Sequence, residues 1–233
     1  MPLVLPIESN PETMNKYLKK LGVSEKWRMV DVISLDDEIL KALPRPVLAV
    51  LLLFPVSAAY ERHRTAEENE LKLKGLQPPA GVFHLRQVVS NACGTIALVH
   101  SIANNTNNID VEDGLLKNYL TVAQNLDAEA KGALLEQSTA ILDAYREIER
   151  PGENANAIID EPVNNHFVTF IHKDGILFEL DGRKEAAISH GATTPETLLE
   201  DAAKVCREFI ARDPDNLSFN VMALVGDLSK IKS

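Results

Sequence analysis

The longest run of apolar residues in this chain, Val47–Phe54, covers eight positions and stops at Pro55. Such a run predicts a buried strand, because a membrane-spanning helix needs about 20 apolar residues. Shorter apolar runs predict the other extended segments. The predicted strands and extended segments are 27–32, 47–54, 83–88, 166–172, 176–181 and 218–225.

Helices are predicted from capping residues and stop signals. Asn10, followed by proline, is a good N-cap and predicts a helix over 11–21. Ser34 is expected to cap a short helix and Asp127 a long one. The predicted helices are 11–21, 36–43, 56–75, 93–104, 112–124, 127–149 and 195–211. Because helices are grouped in the middle of the chain and strands late, we predict an α+β fold in one domain, 1–233.

Composition and charge exclude several classes of protein. The net charge of −10 argues against a nucleic-acid-binding protein, which carries a basic patch. The N-terminus has no basic region followed by a long apolar core, so neither a signal peptide nor a membrane partner is predicted. Two cysteines, Cys93 and Cys206, are too few for a disulfide framework and form no metal-site pattern. They favour a reducing location, cytoplasmic and also nuclear.

Cys93 is the first candidate for chemistry. A polar segment ends at this cysteine and an apolar, helix-compatible run begins there, which places the thiol at a helix N-terminus. Thiols at such positions are stabilised as the nucleophilic thiolate. Gly94 is expected to leave room for a substrate backbone, and Gln87 is placed to aim its amide at an oxyanion. The alternative is a small buried cysteine that opens a core helix.

A cysteine nucleophile needs a base, and the hairpin predicted at Asp174-Gly175 offers one. In the register set by a two-residue turn, Val168 faces Asp181. His166 lies two residues before Val168, so its side chain shares a face with Asp181, with Cβ atoms roughly 7 Å apart. A turn longer by one residue would put the two side chains on opposite faces. The alternative is an edge-strand histidine and a turn aspartate with no shared role.

The other histidines are weaker candidates. His100 lies two helical turns beyond Cys93, about 10.5 Å along the axis, so it is predicted to be a core residue. The sequence leaves the roles of His84 and His190 open.

Several motifs occur together in an order and spacing that are specific to one known family. They are Gln87…Asn91-Ala92-Cys93-Gly94-Thr95, Asn165-His166-Phe167 and Glu179-Leu180-Asp181-Gly182-Arg183, together with the segments Glu8–Glu12, Trp27–Val32, Leu51–Pro55 and Asp201–Phe209. On these residues the chain resembles the ubiquitin carboxyl-terminal hydrolases over nearly its whole length. It is most similar to their short, single-domain members.

The resemblance implies a papain-like protease fold, with a central, mainly antiparallel sheet, helices on both sides and a knotted backbone. It implies that Cys93 is the nucleophile, His166 its general base and later acid, and Asp181 the residue that orients His166. Gln87 then supplies the side-chain donor of the oxyanion hole. Asp31 matches an acidic position that the family uses in ubiquitin recognition, the alternative being an acidic residue on a surface strand. No metal or organic cofactor is implied.

The irregular segment 150–165 corresponds to the family's active-site crossover loop, which restricts leaving groups to small adducts, short peptides or disordered extensions. The implied activity is hydrolysis of esters, thioesters or amides after the C-terminal glycine of ubiquitin. Two alternatives stay open: a ubiquitin-binding protein that stabilises monoubiquitin with little turnover, and a hydrolase of a ubiquitin-like modifier such as Nedd8. We expect a monomer.

Overall fold

An antiparallel sheet of six strands forms the centre of the protein in the computed structural model, which describes residues 4–75, 77–149 and 164–226. In chain order the strands are β1 (Trp27–Asp31), β2 (Val47–Pro55), β3 (Asn165–Lys173), β4 (Ile176–Leu180), β5 (Ile188–Ala192) and β6 (Asn220–Gly226). Their order across the sheet is β1-β6-β2-β3-β4-β5. The predicted strand at 47–54 is therefore confirmed as β2, near the middle of the sheet.

Helices cover both faces of this sheet. In chain order they are α1 (Pro11–Lys20), α2 (Asp37–Ala42), α3 (Ala58–Leu73), α4 (Cys93–Ala103), α5 (Leu115–Ala123), α6 (Ala128–Gln137), α7 (Thr139–Glu149) and α8 (Leu198–Arg212). One core holds α1 and α4–α7, and the other holds α2, α3 and α8. Successive β2 residues alternate between them, with Leu51 in the first core and Leu52 in the second. This two-sided burial explains the unbroken apolar run.

The hairpin between β3 and β4 has the predicted register. Lys173 pairs with Ile176, and the two turn residues, Asp174 and Gly175, both have positive φ. Such a two-residue turn matches the twist of the flanking strands and accepts glycine readily at its second position. Thr169 pairs with Leu180, so the next position along the ladder sets Val168 opposite Asp181.

One predicted helix is wrong. The segment 127–149 forms two helices, α6 and α7, which are separated at Ser138. Ser138 leaves the helical conformation, with φ −82° and ψ 57°. Its hydroxyl and its N–H both donate to the carbonyl of Leu134, which closes the last turn of α6. The capping role of Asp127 is confirmed, since its carboxylate accepts from the N–H of Ala130.

Other differences concern short elements. Strand β5 was not predicted. The segment 83–88 forms no strand, because its N–H groups are taken up elsewhere: Leu85 donates to His100 and Gln87 donates to the carbonyl of Gly182. Ser34 does not cap α2, whose N-cap is Asp36. No helix in the described part of the chain is long and apolar enough to cross a membrane. The knotted backbone stays a prediction.

Candidate active site

Cys93 is the first residue of α4, as predicted. Ala92 occupies the N-cap and makes no side-chain capping bond, so the N-cap residue does not compete for the N–H groups of the first turn. The preceding Asn91 has φ 63°, a left-handed conformation that asparagine tolerates better than most residues. The Cys93 thiol lies 4.0 Å from the carbonyl oxygen of Asn165, the first residue of β3. This contact sets the thiol beside the strand that carries His166.

Gly94 is required by a contact within the chain. A Cβ at this position would lie 2.6 Å from Cβ of Ile7, so the N-terminal segment packs directly on the start of α4. The expectation that Gly94 makes room for a substrate backbone is therefore wrong. The space is occupied by Ile7, which is itself buried.

His166 is held by the carboxylate of Asp181. Its Nε2 lies 2.6 Å from Asp181 Oδ1, and both side chains are buried. Burial lowers the pKa of His166, but the Asp181 carboxylate and a hydrogen bond with Cys93 outweigh it and raise the pKa to about 9. Because Asp181 occupies Nε2, the thiol must exchange its proton with the other ring nitrogen, Nδ1. The structure thus brings Cys93, His166 and Asp181 together in the predicted sequence of contacts.

Four groups hold Asp181 besides His166. Burial raises the pKa of its carboxyl group, but the charge of His166 and the hydrogen bonds outweigh burial and lower it. The Tyr60 hydroxyl donates to Oδ2 at 2.5 Å, and the Arg183 N–H donates to Oδ1 at 2.8 Å. The Asp181 carbonyl bonds to His84 Nε2 at 3.0 Å and to the N–H of Lys184 at 2.9 Å. Asp181 is therefore an anion, and hydrogen bonds hold both its side-chain carboxylate and its backbone carbonyl.

A cavity of about 990 Å³ opens over these residues. Cys93 and His166 line it, together with the N-terminal segment 5–10 and the segment 87–91, which includes Gln87. Glu8 and Glu149 also line it. Arg183 lines it as well and is paired with Glu61. The cavity is therefore large enough for an extended peptide segment, and acidic residues are part of its lining.

The sequence profile of ubiquitin carboxyl-terminal hydrolase, family 1, matches residues 4–211 of this chain. The chain belongs to this family. It is 46% identical over 219 residues to a ubiquitin carboxyl-terminal hydrolase of Drosophila melanogaster, an alignment that covers 94% of this chain and 96% of the relative. It is 41% identical over 220 residues to the human ubiquitin carboxyl-terminal hydrolase isozyme L1, again with 94% and 96% coverage.

The fold of the ubiquitin carboxyl-terminal hydrolases is confirmed by a solved structure. The Trichinella spiralis UCH37 catalytic domain, crystallised with ubiquitin vinyl methyl ester, superposes with a TM-score of 0.75 over 97% of each chain, at 22% sequence identity. The predicted α+β architecture, with a central sheet flanked by helices, is therefore that of the family.

Gln87 lies in the same cavity as Cys93. Its Nε2 donates to the carbonyl of Val89 at 3.0 Å, and its buried Oε1 has no hydrogen-bond partner within the described part of the chain. The bond to Val89 fixes the amide and leaves the second Nε2 hydrogen available for another acceptor. The backbone of Gln87 is anchored by Gly182, next to Asp181.

Asp31, the other predicted site residue of this hydrolase, is separate from this cluster. It is exposed at the end of β1, an edge strand of the sheet, and it does not line the cavity. The predicted crossover loop, 150–165, lies outside the described residues except for its last two positions. His100 is buried, as predicted, and accepts a hydrogen bond from the N–H of Leu85.

Tyr60 is the site residue that sequence reasoning missed. It lies in the first turn of α3 and is the one residue of this helix that is buried. The available signal was a lone tyrosine in a helix of mostly polar and charged residues, because an aromatic side chain there is expected to pack against a neighbouring element. Cys206 lies on α8 and packs in the core, as predicted, and burial raises the pKa of its thiol.

Proposed function

We propose that this protein is a deubiquitinating thiol hydrolase that cleaves small adducts or short peptides from the C-terminal glycine of ubiquitin. One observation carries the proposal: His166 lies between the Asp181 carboxylate and the Cys93 thiol at the N-terminus of α4, and both His166 and Cys93 line an open cavity. Nucleophile, base and orienting carboxylate in this order are the requirements for thiol catalysis of acyl transfer.

In the first half of the reaction, the Cys93 thiolate attacks the carbonyl carbon of the C-terminal glycine. The carbonyl oxygen becomes an oxyanion, which accepts from the free Nε2 hydrogen of Gln87 and from the N–H of Cys93. A donor of this kind is worth about 3 kcal/mol in the transition state. The His166 imidazolium gives its proton to the leaving nitrogen, sulfur or oxygen, and the bond to the leaving group breaks to leave a thioester.

In the second half, neutral His166 takes a proton from water, and the resulting hydroxide attacks the thioester. Collapse of the second tetrahedral intermediate expels the Cys93 thiolate and releases ubiquitin with a free carboxylate. Asp181 stays ionised throughout and stabilises each imidazolium that forms. The carboxylic acid that forms loses its proton to solvent. The Cys93 thiolate and the His166 imidazolium are therefore restored, and no cofactor takes part in these steps.

Charge supports ubiquitin as the substrate. Its C-terminal tail carries arginines, and the acidic residues Glu8 and Glu149 line the cavity, in which Arg183 is already paired with Glu61. Asp31 is exposed and available for a second contact with the body of ubiquitin. Charges at the rim of an interface mainly raise the association rate, so we expect binding to weaken as salt concentration rises.

The test is turnover of ubiquitin that carries a fluorogenic C-terminal amide, with wild type and Cys93→Ala compared and with binding of free ubiquitin measured on both. We expect turnover by wild type alone and equal binding by both proteins. Tight binding with negligible wild-type turnover would instead support a protein that stabilises monoubiquitin. The same assay with a Nedd8 amide distinguishes the second alternative, which requires faster turnover of Nedd8.

We further propose that the protein acts as a monomer in the cytoplasm and also in the nucleus. The two free cysteines, one of them the nucleophile, suit a reducing compartment. Light scattering of the purified protein tests the monomeric state. Fluorescence imaging of a tagged chain tests the location.

A further inference from the structure

The hydroxyl of Tyr60 makes the shortest hydrogen bond to Asp181, at 2.5 Å to Oδ2. Tyr60 is only 5% exposed and Asp181 is fully buried, so water does not replace this donor. The opposite oxygen, Oδ1, accepts from His166 Nε2 and from the N–H of Arg183. Among the described residues, Tyr60 therefore supplies the one side-chain donor to the oxygen that faces away from His166.

We propose that Tyr60 is a positioning residue for the hydrolysis: by holding Asp181 Oδ2, its hydroxyl keeps Oδ1 on His166 Nε2. This inference rests on the proposed function, in which Asp181 supports the His166 imidazolium. A carboxylate held at one oxygen alone rotates about the bond to its Cβ. Rotation would move Oδ1 out of line with Nε2 and weaken the imidazolium that activates Cys93.

Tyr60 is itself fixed, which a positioning residue requires. Its N–H donates to the Ser57 hydroxyl that caps α3, and its ring packs 4.8 Å from the ring of Phe54. The ring centroid of His166 lies 6.3 Å away. Burial raises the pKa of Tyr60, so its hydroxyl remains a donor throughout the working pH range. The hydroxyl therefore cannot follow Asp181 if the carboxylate turns.

Helix α3 is also clamped to the segment that follows Asp181. Lys184 Nζ lies 2.5 Å from a carboxylate oxygen of Glu67, and the N–H of Glu185 donates to Glu68 at 3.2 Å. Both acidic residues belong to α3. These bonds set the distance between the first turn of α3 and Asp181, so the Tyr60 hydroxyl is held within reach of Oδ2.

The test substitution is Tyr60→Phe, which removes the hydroxyl and keeps the ring. The matched control is Tyr119→Phe, which removes a buried hydroxyl that donates to the Lys131 carbonyl at 2.9 Å and not to Asp181. On ubiquitin amide, we expect Tyr60→Phe to lower kcat about tenfold and to change KM less than about twofold. We expect Tyr119→Phe to leave both constants within about twofold of wild type.

A second measurement does not depend on the substrate. The rate at which chloroacetamide alkylates Cys93 follows the thiolate, and we expect its inflection to move to higher pH in Tyr60→Phe only. Cys93→Ala supplies the blank for the buried Cys206. If wild type alkylates normally but hydrolyses no ubiquitin amide, the proposed function fails, and the alkylation comparison still decides the role of Tyr60.

Combining Tyr60→Phe with Asp181→Ala completes the test. If Tyr60 acts through Asp181, it has no further effect on the alkylation profile once Asp181 is removed. The proposal is overturned if the alkylation profile of Cys93 in Tyr60→Phe is unchanged or shifts to lower pH. It is also overturned if Tyr60→Phe and Tyr119→Phe lose equal amounts of kcat. Thermal unfolding of every variant separates these outcomes from loss of the fold.

Discussion

Replacing Lys184 with methionine should destabilise the fold strongly. Lys184 is 2% exposed, and its Nζ bonds to Glu67 and, at 2.6 Å, to Glu179, which is 1% exposed. Glu179 also bonds to His190 at 2.8 Å. Lys184→Met preserves most of the side-chain volume but leaves the Glu179 carboxylate buried without its principal cation.

The magnitude follows from the charge of Glu179. Burial raises the pKa of this group, but Lys184 and His190 outweigh burial and lower it from 4.5 to about 2. A shift of that size corresponds to about 3 kcal/mol in favour of the charged form. Removing one partner of a buried ion pair costs about 3–5 kcal/mol, so we expect the free energy of unfolding to fall by that amount at pH 7.

Urea unfolding followed by circular dichroism measures the loss. The control is Lys74→Met, because Lys74 pairs with Glu70 on the surface, where both side chains are more than half exposed, and such pairs contribute about 1 kcal/mol or less. The pH dependence gives a second check. In wild type, the lowered pKa of Glu179 contributes stability that is present above pH 4.5 and is lost as the pH falls through about 2.

In Lys184→Met, burial should raise the pKa of Glu179, so acidification neutralises the stranded charge. The difference in stability between wild type and variant should therefore narrow as the pH is lowered from 7 toward about 4.5. A loss below about 1 kcal/mol at pH 7, or a gap that stays constant with pH, would refute this reasoning.

Three further predictions concern single residues. Gln87→Ala should lower kcat on ubiquitin amide by about 10²–10³ with little change in KM, because it removes an oxyanion donor. Gly132→Ala should lower the free energy of unfolding in urea by about 1–3 kcal/mol, since the new Cβ would lie 2.0 Å from the Arg86 carbonyl oxygen. Burial holds the pKa of His100 well below 6.5, so stability should fall as the pH drops below that value. His100→Gln keeps an acceptor for Leu85 and should reduce this slope between pH 7 and 5.5.

Local signals predicted those elements whose stability is local. Asn10 accepts from the N–H groups of Glu12 and Thr13, and the two-residue hairpin turn fixed the register between β3 and β4. The break at Ser138 was missed because residues 133–149 contain no glycine or proline that would mark it. Strand β5 was missed because its five residues include a histidine and a glycine and follow no clear alternation.

The same contrast applies to the site. The turn determines the pairing within a hairpin, and residues two apart in a strand share a face of the sheet. The hairpin sequence was therefore enough to predict that His166 and Asp181 lie on the same side. Tyr60 meets Asp181 across 121 positions of sequence, and Ile7 fills the space at Gly94 from another element. The spacing of hydrophobic residues along the sequence does not predict such contacts, because they depend on how α3 and the N-terminal segment pack on the sheet.

The candidate triad joins the two cores of the protein. Cys93 and Phe167 belong to the core that holds α4, whereas Tyr60 and Phe54 belong to the core that holds α3 and α8. His166 lies on β3, inside the sheet that separates them, and its ring meets Phe54 edge-on at 5.8 Å. The thiol is thus positioned from one face of the sheet and the carboxylate from the other. Alignment of Cys93 with Asp181 therefore requires both layers to be packed, which couples the chemistry to the whole described fold.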